Sequence, residues 1–144
     1  MHTEIYFLDD GKSLRHPSPA FSNDVRSSSG IIEAFINMGA DRSKISLLVS
    51  TTGNSFKRVA CTSETELNCP AAGLGSVIYS EKTLVVESKN IQPYFHDRPT
   101  ICRIISDSVW TKKYDNFAQV PYAYNSEQWI GYENEQSIKV KVNI

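Results

Sequence analysis

The residues best suited by type and spacing to a binding task lie in the stretch PYAYNSEQWIGY, where Tyr122 and Tyr124 precede the turn-like Asn125-Ser126 and Trp129 and Tyr132 follow it. Such rings either stack on a ligand or fill a core. An extended strand puts Val120, Tyr122 and Tyr124 on one face and Ala123 on the other, and the two runs read as a hairpin. Other chemistry is thin. His2, His16 and His96 are scattered, with no CxxC or HxxxH spacing that would hold a metal, so no metal and no cofactor are expected. Residues 53–55, GNS, are not a nucleophile elbow. Asp9-Asp10 before Gly11 reads as a turn, and Glu133 and Glu135 read as acids favouring a helix N-terminus. The glycines of CPAAGLGS lack a phosphate-loop pattern. Cys61 and Cys69 bracket the polar TSETELN, a spacing open to a small disulfide or to reduced thiols, and Cys102 leaves the count odd.

The elements that must position these residues follow from patterning. The chain of 144 residues fits about one domain, and its 40% hydrophobic and 22% charged residues are ordinary for a globular protein. A net charge of −1 gives no reason to expect nucleic acid. No apolar run is long enough to span a bilayer, so no membrane partner is expected, and MHTEIYFLDDGK carries acids where a signal peptide needs apolar residues. KSLRHPSPAFSNDVRSSS reads as a long loop. Ile31, Ile32, Phe35, Ile36 and Met38 recur at helical spacing, with Ser29 as a cap and Gly39 as the stop. KISLLVS is apolar on both faces, as in a strand buried on two sides. SFKRVA, TLVVES, ICRIIS and VWTKKY favour strands, although ICRIIS is also compatible with a helix; NIQPYFHDRPT reads as loop. SIKVKVNI alternates strictly, which by itself spells a strand.

AQVPYAYNSEQWIGYENEQSIKVKV resembles the pattern VPYAY…QWVGYDDxESxxxKVxY of glycoside hydrolase family 18, the chitinases and chitinase-like proteins. INMGADRSKISLLVSTTGNSF, CPAAGLGSVIYSEK and HPSPAF resemble three further family blocks, and all occur in family order. The resemblance implies a fold of the α+β class: part of a (β/α)8 TIM barrel carrying an antiparallel chitinase insertion domain. Residues 1–54 would be partial barrel, with a sixth-strand remnant near Ile5-Tyr6-Phe7, a helix, and KISLLVS as the seventh strand. Residues 55–132 would be the insertion domain, its aromatic hairpin packed in the core, and residues 133–144 the start of the seventh barrel helix, capped by Asn134.

In the family, the Glu of DxxDxDxE protonates the glycosidic oxygen while the substrate's own acetamido group attacks, an exception to the two-carboxylate scheme. No DxxDxDxE occurs in this chain, which reads as beginning after that motif and ending before the eighth strand; a whole barrel takes at least about 200 residues. Thr52 stands where the family has Tyr, Asn54 where it has Arg, and Lys82 where it has a sugar-contacting Glu. Tyr6 would match a substrate-binding Tyr, with Phe7 replacing the neighbouring Asp. The resemblance therefore implies a non-catalytic chitinase-like polypeptide, with chitin or N-acetylglucosamine oligosaccharides as the partner to test and an extracellular location. Two alternatives are a piece of an active secreted chitinase, and a structural or protein-interaction domain without sugar binding. The family cysteine that Cys102 resembles pairs with one further along, so Cys102 is expected unpaired here and Cys61 with Cys69 as the pair. An open sheet edge at Lys44–Ser50 would favour self-association.

Overall fold

The computed structural model describes residues 2–4, 12–59, 69–75 and 95–144. Tyr6, Cys61, Lys82, the TLVVES run and the Ile5-Tyr6-Phe7 segment lie outside the described residues. The chain opens with β1 (His2–Glu4), continues to helix α1 (Ser28–Asn37) and returns in β2 (Ser46–Leu48). β1 and β2 pair in parallel, His2 opposite Ser46, so these three elements form one βαβ unit.

Local chemistry fixes the ends of α1. The cap is Ser27, not Ser29: its hydroxyl accepts from the Gly30 N–H at 3.1 Å, and its carbonyl accepts from the Ile31 N–H. Gly39 adopts φ +93, which lets its own N–H reach the Ile36 carbonyl and the Ala40 N–H reach the Phe35 carbonyl. That paired closure needs a left-handed residue, which glycine supplies without strain. β2 departs from the expectation of two buried faces. Ser46 and Leu48 are exposed, Leu48 by 53%, and Leu47 is half-buried.

The larger layer is antiparallel. It contains β3 (Gly53–Arg58), β4 (Ala71–Leu74), β5 (Phe95–His96), β6 (Thr111–Asp115), β7 (Val120–Tyr124) and β8 (Gln128–Gly131). Its order is β4-β3-β8-β7-β6, with β5 on the same edge of β3 as β4 serves further along. The Ala71–Leu74 segment of CPAAGLGS is thus a strand. The Asn125 side chain turns β7 into β8 by accepting from the N–H groups of Glu127 and Gln128.

ICRIIS takes the helical rather than the strand reading: it lies in helix α2 (Arg98–Ile105), which begins inside the stretch read as loop. Asp97 caps it by accepting from the Thr100 N–H at 3.0 Å. Pro99 sits in the first turn, where its missing N–H costs nothing. Ile101, Ile104 and Ile105 are buried at helical spacing. Helix α3 (Glu135–Val142) confirms the helix implied by the family over the strand implied by alternation. Asn134 and Ser137 cap each other reciprocally, each side chain accepting the other's backbone N–H at 2.9 Å. The buried pair Ser137 and Lys141 is then four residues apart, and Val142 is left exposed.

Sheet alternation sorts the core into two clusters. On one face Ala123, Ile130 and Tyr132 meet Trp110 and the three isoleucines of α2. On the other, Tyr122 and Trp129 meet Phe56, Leu14 and Cys69. The segment 12–27 has no regular element longer than a bridge, yet it is not solvated: Leu14, His16, Ala20 and Ser27 are buried.

Candidate functional site

The aromatic hairpin belongs to the core. Trp129 is 0% exposed, and Tyr122 and Tyr132 are buried. Trp129 opposes Phe56 across β3 and β8 and Tyr124 across β7 and β8, and its ring stacks on Tyr122 with centroids 5.7 Å apart. Tyr124 is half-buried and covered by the Arg58 guanidinium, 4.9 Å from its centroid. Gly131 is required by close approach: a Cβ there would lie 2.8 Å from both Pro17 and the Trp129 ring. A sugar would find no free ring face on these four residues.

The two described positions that depart from the family's cleft pattern lie where β2 ends and β3 begins. The Thr52 N–H donates to Ser50 Oγ at 3.2 Å, and the Ser50 and Thr52 hydroxyls share a 2.8 Å bond. Thr52 is half-buried, while Thr51 is exposed. Asn54 is 2% exposed and sits inside the sheet, paired with Phe95 on one side and Gly131 on the other. Its amide is therefore enclosed by protein.

Beside Thr51 runs an open groove along the first turns of α3. One hollow of about 370 Å³ includes Thr51, Arg98, Glu133 and Ile138, and an adjoining hollow of about 620 Å³ shares Arg98, Asn134, Glu135 and Lys139 with it. Its charges are already engaged. Arg98 donates to the Glu133 carbonyl at 2.8 Å and stacks over Tyr132, and Lys139 pairs with Glu135 at 2.7 Å. The groove offers hydrogen bonds to a polar ligand but no pair of carboxylates placed for acid–base work.

Behind it lies a buried polar hub that tethers the 12–27 segment. Glu133, read from sequence as an acid near a helix start, does precede the α3 cap, and it is buried. Its carboxylate pairs with Lys141, both side chains almost wholly buried, and accepts from the Ser137 hydroxyl at 2.6 Å. Lys141 also donates to the Ser18 carbonyl and hydroxyl. Burial lowers the Lys141 pKa, and Glu133 opposes that shift. Next to this pair, His16 Nε2 lies 3.2 Å from Asp115 Oδ2, and its ring meets Tyr122 edge-on and Trp129 at a tilt. Burial pulls the His16 pKa down despite Asp115, and the hydrogen bond from His16 holds the Asp115 carboxyl low.

A second histidine makes the contact most like catalytic machinery. His96 Nε2 is 3.0 Å from Ser55 Oγ, and burial lowers the His96 pKa. A nucleophile needs access and a base held by a third group. Ser55 is fully buried, and the adjacent Asp97 carboxylate is spent on the α2 cap. The contact fastens β3 to β5. Sequence reading missed both histidine contacts, because their partners lie 41 and 99 residues away and no local spacing signals them. Among the described residues, no group of three or more His, Cys, Asp or Glu side chains is placed to hold a metal ion. Cys69 is disulfide-bonded and Cys102 carries a free thiol.

In chain order, a parallel βαβ unit is followed by an antiparallel sheet with an aromatic hairpin and then by helix α3. The family model for glycosyl hydrolases family 18 matches residues 4–144, and the chain belongs to that family. Human chitinase-3-like protein 2 is 30% identical over 108 residues, covering 75% of this chain and 24% of that protein. The group IV chitinase of Ostrinia furnacalis superposes with a TM-score of 0.78 at 20% identity, over 98% of this chain and 38% of the other. Human YKL-39, described as a pseudo-chitinase with retained chitooligosaccharide binding properties, superposes with a TM-score of 0.74 at 25% identity, over 91% of this chain and 34% of the other. The chain thus spans 24% to 38% of the length of these relatives.

Proposed function

We propose that this chain is a non-catalytic, chitinase-like part of a family 18 barrel, with weak recognition of chitin-type N-acetylglucosamine oligosaccharides as its remaining activity. The observation that carries the reading is the treatment of the cleft positions. Asn54 is enclosed in the sheet, Thr52 is bonded to Ser50, and the Tyr122, Trp129 and Tyr132 rings of the hairpin are buried, while the 144 residues contain no DxxDxDxE. Without that acid nothing in the chain protonates a glycosidic oxygen. Each lost hydrogen bond to a buried sugar hydroxyl weakens binding by about 1–3 kcal/mol. The relative described as a pseudo-chitinase with retained chitooligosaccharide binding supports loss of catalysis without loss of binding.

On this reading β1 and β2 are adjacent strands of the barrel wall, residues 55–132 are the insertion domain, and α3 is the helix that follows it. Their parallel pairing and the reciprocal cap of α3 support it. The Cys61–Cys69 pair is part of the proposal, supported by the disulfide at Cys69 and the free thiol at Cys102. A disulfide in turn favours an oxidising, extracellular setting. Tyr6 is the proposed substrate contact outside the described residues.

The test measures two things on the purified chain. Fluorophore release from a chitobioside or chitotrioside is expected to be absent, and calorimetry with chitotetraose is expected to show weak binding. Release that an active-site chitinase inhibitor abolishes overturns the non-catalytic reading. An absence of both activity and binding moves the chain to a structural or interaction role. The alternative, a piece of an active chitinase, is decided by reading the gene upstream for DxxDxDxE in frame.

A further inference from the structure

His16 and Trp129 are neighbours in the core, ring centroids 5.5 Å apart and tilted by 52°. Asp115 accepts at both carboxylate oxygens: from the Phe117 and Ala118 N–H groups at Oδ1, and from His16 Nε2 at Oδ2. An ionised carboxylate can only accept, so Nε2 of His16 carries the proton, and Nδ1 of the neutral ring is a bare acceptor. That Nδ1 is buried and has no hydrogen-bond partner among the described residues. The Trp129 indole Nε1–H, which can only donate, is also buried and has no partner among the described residues. An orphan acceptor and an orphan donor on adjacent rings are complementary, and leaving both unpaired is costly.

We propose that these two atoms bind one internal water, which accepts from the Trp129 indole N–H and donates to His16 Nδ1. The water completes a hydrogen-bonded chain from Asp115 through His16 to Trp129. A direct indole-to-imidazole bond is disfavoured by packing, because each ring is held by a further aromatic neighbour. Tyr122 sets its ring 5.7 Å from that of His16, and Phe56 sets its ring 5.7 Å from that of Trp129. Internal waters of this kind serve polar groups that the chain itself cannot reach. The site lies where the 12–27 segment crosses the hairpin, so the water helps join a segment without regular structure to the sheet.

The experiment is nuclear magnetic resonance on the unaltered 15N-labelled chain at neutral pH. The expected result is a neutral His16 protonated at Nε2, together with a magnetisation-transfer peak from the Trp129 indole proton to a long-lived water. Three results overturn the proposal: protonation at Nδ1, an indole proton with no water contact, or a scalar coupling across a direct Trp129–His16 hydrogen bond.

Discussion

Glu133 and Lys141 show how a charged residue can be structural. Both side chains are buried against one another, with Ser137 and Ser18 taking the remaining hydrogen bonds. Removing one partner leaves the other as an uncompensated buried charge. Lys141→Met is therefore expected to cost about 3–5 kcal/mol in urea unfolding, and Glu133→Gln added to it should recover much of that loss. Additive losses would show that the charges do not compensate each other. His16 gives a pH signature. Burial lowers its folded pKa below the ordinary value of 6.5, against Asp115 and Glu133, which raise it, and with Lys141, which lowers it further. The unfolded chain then binds more protons, so stability is full above pH 6.5 and falls as pH drops from there through the folded pKa. The Asp115 contribution is lost separately, below its ordinary value of 3.8. Denaturant unfolding from pH 7 to 5 is expected to show a positive slope that His16→Gln flattens; an unchanged slope in the variant would exclude His16 as its source.

At the level of elements, caps override pattern. Ile138, Val140 and Val142 alternate as in a strand, but the Asn134–Ser137 capping box starts a helix. Asn134→Ala should destabilise the fold by about 0.5–2 kcal/mol and fray α3, seen as lost amide protection in its first turn, while Asn134→Asp should be close to neutral. α2 follows the same logic. Its β-favouring isoleucines were legible as apolar and compatible with strand or helix, and the choice stayed open because the capping Asp97 and the first-turn Pro99 were read as loop punctuation. α1 was legible within one or two residues, since its helical periodicity and Gly39 agree. β7 and β8 were legible too, because an Asx turn between alternating aromatic runs admits few alternatives.

For the whole molecule, the contrast between the two sheets carries a prediction. The antiparallel layer has a helix on one face and the 12–27 segment on the other, and its hairpin is local in sequence. The parallel pair β1–β2 leaves Leu48 exposed, although parallel strands are normally covered on both faces. Hydrogen exchange on a strictly monomeric sample should find Ser46–Leu48 less protected than Val120–Gly131. Concentration-dependent protection of β2 would mark self-association through that edge. Equal protection of the two regions in the monomer would mean that β2 is covered in some other way.

The sequence by itself determined the family, the hairpin, the position of α1 and the absence of a DxxDxDxE run, because each of these is written in residues close together in the chain. Tertiary structure alone decided that Glu133 and Lys141 are buried, that Asn54 is enclosed, and that His16 and His96 serve the core. The burial of a polar side chain depends on partners brought from far away: Asp115 meets His16 across 99 residues, and Lys141 meets Ser18 across 123. No local spacing encodes such a meeting. It arises when the sheet places β6, β8 and α3 around the 12–27 segment, where desolvation makes an unpaired charge or polar group costly and so favours these pairings.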